Sequence, residues 1–360
     1  MAILEKKYFN DHLEVIHLVE EKFDGQRLDL FVQTYLDTFS RELIKKKIKL
    51  NEVKIKNRMS VHRPSTILHS NDVVTILFFK SSYEDEYWQE KKLNLNLVPE
   101  MVYEDSDLIV ISKPAFMSTH PTGRHIFNCA TVYFEKKYNQ TIHSLHRIDR
   151  ETSGILMLGK NPKTANEMML NFENDSVKKC YLFISLVQND CKKLIQFEAK
   201  ERLGSEELGL KRVYINAYPE HSREGKEAHT NFKILKYFDK YAIGLAFPIT
   251  GRQHQIRVHA KENGLPLLGD KLYLGSYEMF QRFKDQIATS EDYQLMELPR
   301  HALHAIALEI PYKKSKQLFQ TKIPKDFLEW LSKFNTIDSN LLELQINEEL
   351  KNYFVDNKCH

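Results

Sequence analysis

A charged turn that runs straight into an apolar strand sets the tightest limit on this chain. Residues 146–154 read His-Arg-Ile-Asp-Arg-Glu-Thr-Ser-Gly, and Ile155, Leu156, Met157 and Leu158 follow. Such an apolar run predicts a buried strand. The turn before it then stands on a rigid edge, where sites are commonly built. Asp149 lies between Arg147 and Arg150. Nearby positive charge keeps a carboxylate ionised, and guanidiniums suit phosphate. A solvated salt-bridge turn would show the same charges.

In order, these nine residues resemble the HRLDRxTSG signature of the RluA-like pseudouridine synthases, which isomerise uridine in RNA. Ile148 replaces the usual Leu, a change that conserves volume. Tyr103-Glu104-Asp105, Leu108-Ile109-Val110, Lys113-Pro114, Met117 and His120-Pro121 resemble the family's YEDxxLIVxxKPxGMxxHP segment, with Phe116 at its Gly. Lys179-x-Tyr181 resembles its K-x-Y motif. Residues 251–259, Gly-Arg-Gln-His-Gln-Ile-Arg-Val-His, resemble GRTHQIRVH, with Gln253 in place of Thr or Ser. Gly269-Asp270-x-x-Tyr273 and Arg300-His301-x-Leu303-His304-Ala305 continue the match, which ends near residue 333.

The resemblance implies an α+β catalytic domain over residues 100–335, a mainly antiparallel mixed sheet with flanking helices. It implies breakage of the N1–C1′ bond of a uridine, turning of the base, and closure of C5 onto C1′, without metal or cofactor. Asp149 would be the nucleophile or base at the ribose, Tyr181 the ring that stacks on the base, and Arg257 the partner of Asp149. Arg147, Arg150, Lys113, Arg252 and His254 are the candidate substrate contacts. Arg147 would fill the stack when the target base flips out. A factor that binds or folds RNA without catalysis is the alternative. A zinc base deaminase is excluded, because its H-x-E and P-C-x-x-C pattern is absent.

Ahead of this domain, Leu28, Phe31, Val32 and Tyr35 fall at helical spacing, and Ser40 suits the N-cap of a second helix. Arg41, Lys45, Lys46, Lys47 and Lys54 then give a basic ridge. It could be a solvated face, or could follow an RNA backbone by releasing counterions. The order of residues from Arg27 to Val74 resembles the RNA-binding module named after small-subunit ribosomal protein four. Residues 1–22 read as an extension, 23–80 as this small α/β module, 81–99 as a linker and 336–360 as a tail. Lys211 and Arg212 are further candidate RNA contacts.

Thr250 and Gln253 suggest a capping box for a helix to about Glu262, ending at Asn263-Gly264. The histidine pairs 143/146, 254/259 and 301/304 invite a metal reading, but no carboxylate or thiolate completes a familiar ligand spacing. Net charge is only +3 over 360 residues, so a nucleic-acid surface must be a local patch. The cysteines, Cys129, Cys180, Cys191 and Cys359, are widely spaced and fit a reducing compartment. No signal peptide or membrane-spanning run is evident. The expectation is a monomeric cytoplasmic enzyme acting on RNA, ribosomal RNA ahead of transfer RNA.

Overall fold

The computed structural model describes residues 3–9, 11–36, 39–56, 58, 62–80, 84–122, 125–189, 191–205 and 213–355. Lys211, Arg212 and Cys359 lie outside them. The chain divides into two compact units, Met1–Asp85 with His120–Asn139, and Glu86–Thr119 with Gln140–His360.

The first unit is built on strands β1 (Ile3–Tyr8), β2 (His12–Leu18), β3 (Val53–Ile55) and β4 (Val73–Phe79), in the antiparallel order β1-β2-β4-β3. Helices α1 (Leu28–Tyr35) and α2 (Arg41–Lys49) pack Leu28, Phe31, Val32, Ile44 and Ile48 onto Val53, Val74 and Ile76. Ser40 caps α2, its Oγ accepting from the Leu43 N–H at 3.3 Å. Helix α3 (Ala130–Tyr138) belongs to the same unit. Just before it, the buried Glu84 carboxylate accepts from the N–H groups of Ile126, Phe127 and Asn128. Among the described residues of the expected extension 1–22, β1 and β2 therefore belong to the sheet. Strand β2 pairs along the whole of β4, from His12 opposite Phe79 to Leu18 opposite Val73. The partner of β2 is not legible in its own residues, because pairing is a property of two strands rather than one.

The second unit opens with a hairpin, β5 (Tyr87–Trp88) and β6 (Lys91–Lys92). A ten-stranded sheet follows, made of β7 (Glu100–Glu104), β8 (Leu108–Lys113), β9 (His143–Ser144), β10 (Ser153–Gly159), β11 (Lys178–Leu186), β12 (Gln196–Ala199), β15 (Thr230–Phe238), β16 (Tyr241–Pro248), β17 (Leu303–Tyr312) and β18 (Ser315–Gln320). Its main path is β12-β15-β16-β11-β17-β10-β8-β7, and only β10 with β17 pairs in parallel. Strands β13 (Arg202–Ser205) and β14 (Ile215–Tyr218) form a separate hairpin. Around the sheet lie α4 (Pro162–Glu173), α5 (Gln255–Glu262), α6 (Tyr277–Lys284), α7 (Ser290–Met296), α8 (Lys325–Leu331) and α9 (Ser339–Val355). This is the expected mixed sheet with flanking helices.

The expected linker and tail both pack. Trp88 stacks on Phe283 with centroids 6.0 Å apart and meets Tyr293 edge-on at 4.8 Å, so residues 86–99 join the second unit. Helix α9 buries Leu342, Ile346, Leu350 and Phe354 in the same core as Ile243, Leu245 and Trp330. Their spacing of four, four and four follows one helical stripe. Among the described residues no helix is long and apolar enough to cross a membrane.

Candidate active site

The buried strand β10 carries the turn 146–152 at its start, and the turn is fixed from several sides. Thr152 N–H donates to Asp149 O at 3.1 Å, and Met157 N–H donates to His146 Nε2 at 3.1 Å. Thr152 Oγ1 lies 2.8 Å from His301 Nε2, and Ser153 Oγ lies 2.8 Å from His304 Nδ1. Glu151 accepts from Lys271 Nζ at 3.1 Å and from the His301 N–H at 3.1 Å. Gly154 has φ +106°, and a Cβ there would fall 2.2 Å from Ala305 O on β17. Only glycine lets the two parallel strands meet at that point.

Asp149 opens onto a cavity of about 540 Å³ shared by Arg147, Lys179, Tyr181, Arg252, His254 and Arg257. Its side chain is 26% exposed, so a substrate can reach it. Arg257 Nη1 donates to Asp149 Oδ2 at 3.0 Å. The same guanidinium is gripped by Asp270, Nε to Oδ2 at 2.6 Å and Nη2 to Oδ1 at 2.8 Å. Asp270 Oδ1 also accepts from the N–H groups of Leu272 and Tyr273. A bidentate grip fixes the plane of a guanidinium.

Burial by itself would raise the Asp149 carboxyl. The charges of His254, Arg257 and His301 outweigh it and hold the group well below the usual carboxylate range. The two histidines contribute at the acid pH where Asp149 would take up a proton, since they are then protonated themselves. Near neutrality Arg257 is the permanent cation. Burial pushes the Tyr181 hydroxyl well up, with the Asp149 charge adding to it, so the phenol stays neutral.

His254 is held by the Tyr273 hydroxyl. Tyr273 Oη accepts from the Ile215 N–H at 3.0 Å and lies 2.9 Å from His254 Nδ1. The neutral imidazole accepts the Tyr273 proton at Nδ1 when its own proton is on Nε2, the form that the facing Asp149 carboxylate favours. Nε2 is 3.9 Å from Asp149 Oδ2. Burial, then the charge of Arg257, pushes the His254 ring down to about 4, so it is neutral near pH 7.

The helix that carries Arg257 begins later than expected. α5 starts at Gln255, after His254 in a left-handed conformation with φ +55°. No capping box forms; Gln255, not Gln253, ties down the preceding loop, its Oε1 accepting from Thr250 Oγ1 at 2.7 Å and from the Arg252 N–H at 2.9 Å. Gln253 is exposed. Two residues of a spacing rule separate these readings, and only the loop path decides between them.

Of the expected substrate contacts, Arg147, Arg252 and His254 line the cavity. Lys113 does not. It is fully buried, and its Nζ donates to the carbonyls of Pro114, Met117 and Arg150 at 3.0, 2.7 and 3.2 Å. Arg150 also turns away, pairing with Glu86 and standing over the Phe116 ring at 5.6 Å. Phe116 adopts φ +66°, the left-handed conformation that glycine supplies without strain. In the first unit, Arg41, Lys46 and Lys54 are exposed and Lys45 half-buried. Lys47 instead folds back on Glu52 and the Leu77 carbonyl. The sequence reading assigned no role to Asp270, Tyr273, Glu151 or Lys179, although each stands within or beside a matched motif. The weighed histidines sit in separate contacts: His146 with Met157, His259 with Thr230, and His304 with Ser153 and Thr321.

The RNA pseudouridylate synthase family profile matches residues 107–262. Ribosomal large subunit pseudouridine synthase D of Buchnera aphidicola is 28% identical over 321 residues, covering 86% of this chain and 95% of its own. Ribosomal large subunit pseudouridine synthase C of Vibrio vulnificus is 30% identical over 259 residues, covering 71% and 78%. The mitochondrial tRNA pseudouridine(32) synthase of Saccharomyces cerevisiae is 29% identical over 253 residues, covering 69% and 50%. Among solved structures, human RNA pseudouridylate synthase domain containing 4 shares the fold at TM-score 0.51 and 22% identity, covering 65% of this chain and 92% of its own.

Proposed function

The chain belongs to the RNA pseudouridylate synthase family and isomerises uridine in RNA, and from that premise we propose that Asp149, Tyr181 and Arg257 carry the reaction. Asp149 acts at the ribose, either by bonding to C1′ or by taking a sugar proton. Tyr181 holds the base through its ring face, which leaves the hydrogen-bonding edge of the base free. Arg257 aims and charges Asp149. Arg147 takes the space in the stack that the flipped base vacates, and Arg252 and His254 contact the nucleotide. The observation that carries this reading is the 3.0 Å bond from Arg257 to Asp149 at a cavity also lined by Tyr181.

The N-terminal unit binds RNA in the manner of the ribosomal protein four module, through Arg41, Lys45, Lys46 and Lys54. The favoured substrate is large-subunit ribosomal RNA, in keeping with the names of the bacterial relatives. The enzyme works as a monomer in the cytoplasm. The test maps pseudouridine in total RNA from cells with the gene, without it, and with Asp149→Asn. Sites that vanish in the last two and lie in ribosomal RNA support the reading. Full retention with Asp149→Asn overturns the role of Asp149, and sites confined to transfer RNA overturn the choice of substrate.

A further inference from the structure

Lys179 is the cation at this cavity that the reading above leaves without work. It stands two residues before Tyr181 on β11, so both side chains leave the same face of the strand. The neighbours Cys180 and Leu182 point the other way, into the core. Lys179 lines the cavity with Asp149 and Tyr181. Its Nζ is 3.6 Å from where a Cβ of Gly251 would stand, so it lies against the loop that leads to His254. No hydrogen bond or ion pair within 4 Å engages it among the described residues. The groups that face it are Asp175 on the turn after α4, His146 on the catalytic turn, and the Gly251 backbone. Burial lowers its amine, partly offset by the charge of Asp175. Burial also holds His146 neutral, so it does not compete for the role of cation.

The reaction calls for a cation at that place. When the N1–C1′ bond breaks, its electron pair leaves with the base. The base becomes a uracil anion, its charge shared among N1, O2 and O4. The sugar is satisfied either by a bond from Asp149 to C1′ or by loss of a sugar proton to Asp149. The anion forms on both routes and is consumed when C5 closes on C1′: the bond to Asp149 breaks or the sugar proton returns, then C5 loses its proton and N1 gains one. Arg257 is committed to Asp149 and Asp270, and Tyr181 is neutral.

We propose that Lys179 is a catalytic residue that donates a hydrogen bond to a uracil carbonyl oxygen and stabilises the departing base as it gains negative charge. It keeps its proton throughout. The proposal rests on the assignment of Asp149 and Tyr181 to the reacting nucleotide. A donor aimed at developing charge acts mainly in the transition state.

The test uses the full chain and RNA transcribed from the source organism's ribosomal and transfer RNA genes, made with uridine or with 5-fluorouridine. Fluorine withdraws electrons from the base and makes it a better leaving group. Single-turnover formation of the C-glycoside is measured for the wild type, Lys179→Met, Lys179→Arg and Asp149→Asn. Lys179→Met is expected to slow uridine conversion about 10²-fold with little change in RNA affinity. With 5-fluorouridine the deficit should shrink to about tenfold or less. Lys179→Arg should recover most of the rate, which separates lost charge from a misfolded strand. Equal deficits on both RNAs overturn the proposal. So does a deficit confined to affinity and salt dependence, which marks a backbone phosphate contact. If Asp149→Asn is inactive while Lys179→Met and Lys179→Arg match the wild type, the leaving-group role fails and the assignment of Asp149 stands. If Asp149→Asn is fully active, the underlying reading fails instead.

Discussion

Asp270 grips Arg257 through two hydrogen bonds, at 2.6 and 2.8 Å, and by fixing that plane leaves a single nitrogen of the guanidinium to meet Asp149. Asp270 is fully buried, and the N–H groups of Leu272 and Tyr273 hold its carboxylate. It is thus a positioning residue, one step removed from the substrate. Asp270→Asn removes the charge and one acceptor while leaving Arg257 buried. Breaking one half of such a pair costs about 3–5 kcal/mol. The expected outcome is a clear drop in thermal stability and a fall in kcat of about 10²-fold from misplacement of Arg257. Chemical denaturation and single-turnover kinetics check it, and an unchanged kcat would show that Asp149 needs no such support.

Tyr273 and Asp149 flank the His254 ring and together favour the tautomer protonated on Nε2. Tyr273→Phe removes the hydroxyl beside His254 and leaves the buried Ile215 N–H unsatisfied, at about 1–3 kcal/mol. With only Asp149 left to favour Nε2, the imidazole proton is less confined to that nitrogen. Nitrogen NMR of the wild type should show His254 protonated on Nε2, and the variant should show a mixture with a lowered rate. The same single tautomer in both proteins would defeat the argument.

Lys113→Met tests a residue that charge alone places at the substrate. Its ammonium satisfies the carbonyls of Pro114, Met117 and Arg150. Losing a charged donor to buried acceptors costs about 1.5–3 kcal/mol. Stability should fall while the salt dependence of RNA binding stays the same. A salt slope reduced by one phosphate contact would restore the substrate role.

Phe116→Gly sets strain against burial. Releasing a side chain from the left-handed conformation gains about 1–2 kcal/mol. Deleting a buried aromatic loses about 3–5 kcal/mol. Burial wins because Phe116 is only 6% exposed and covers Arg150. The variant should be less stable by about 2 kcal/mol, read from urea midpoints, even though it restores the family's residue.

Acid sensitivity should come first from histidine. Burial pushes His254 down to about 4 and His146 and His304 down to about 3. In the unfolded chain they titrate near 6.5. Between these values the unfolded state holds more protons, so stability rises with pH there and is lost as pH falls from about 6.5 toward 4. Asp149, Glu151 and Asp270 are held low in the folded state. Their contribution is present above the ordinary carboxylate values and fades only below about 4. Denaturation midpoints at pH 8, 6.5 and 5 should therefore decline before any carboxylate titrates. A flat profile over that range would mean the rings are not neutral when folded.

The sequence by itself determined the local parts of this protein. The run after Gly154 predicted a buried strand and Ser40 the cap of a helix, and both stand in the structure. The ordered motifs also pointed to Asp149, Tyr181 and Arg257 as the residues proposed to carry the reaction, because chemistry at a site depends on residue type, and type is what a sequence records. Tertiary structure decided everything that needs two distant segments. It took Lys113 and Arg150 out of the cavity, since a long cation goes to whichever acceptors surround it. It drew β2 and α9 into cores, since a strand or helix face is satisfied only by a partner far along the chain. It gave Asp270, Tyr273 and Lys179 their places, since hydrogen-bond direction and the side from which a cavity is approached exist only after the chain has folded.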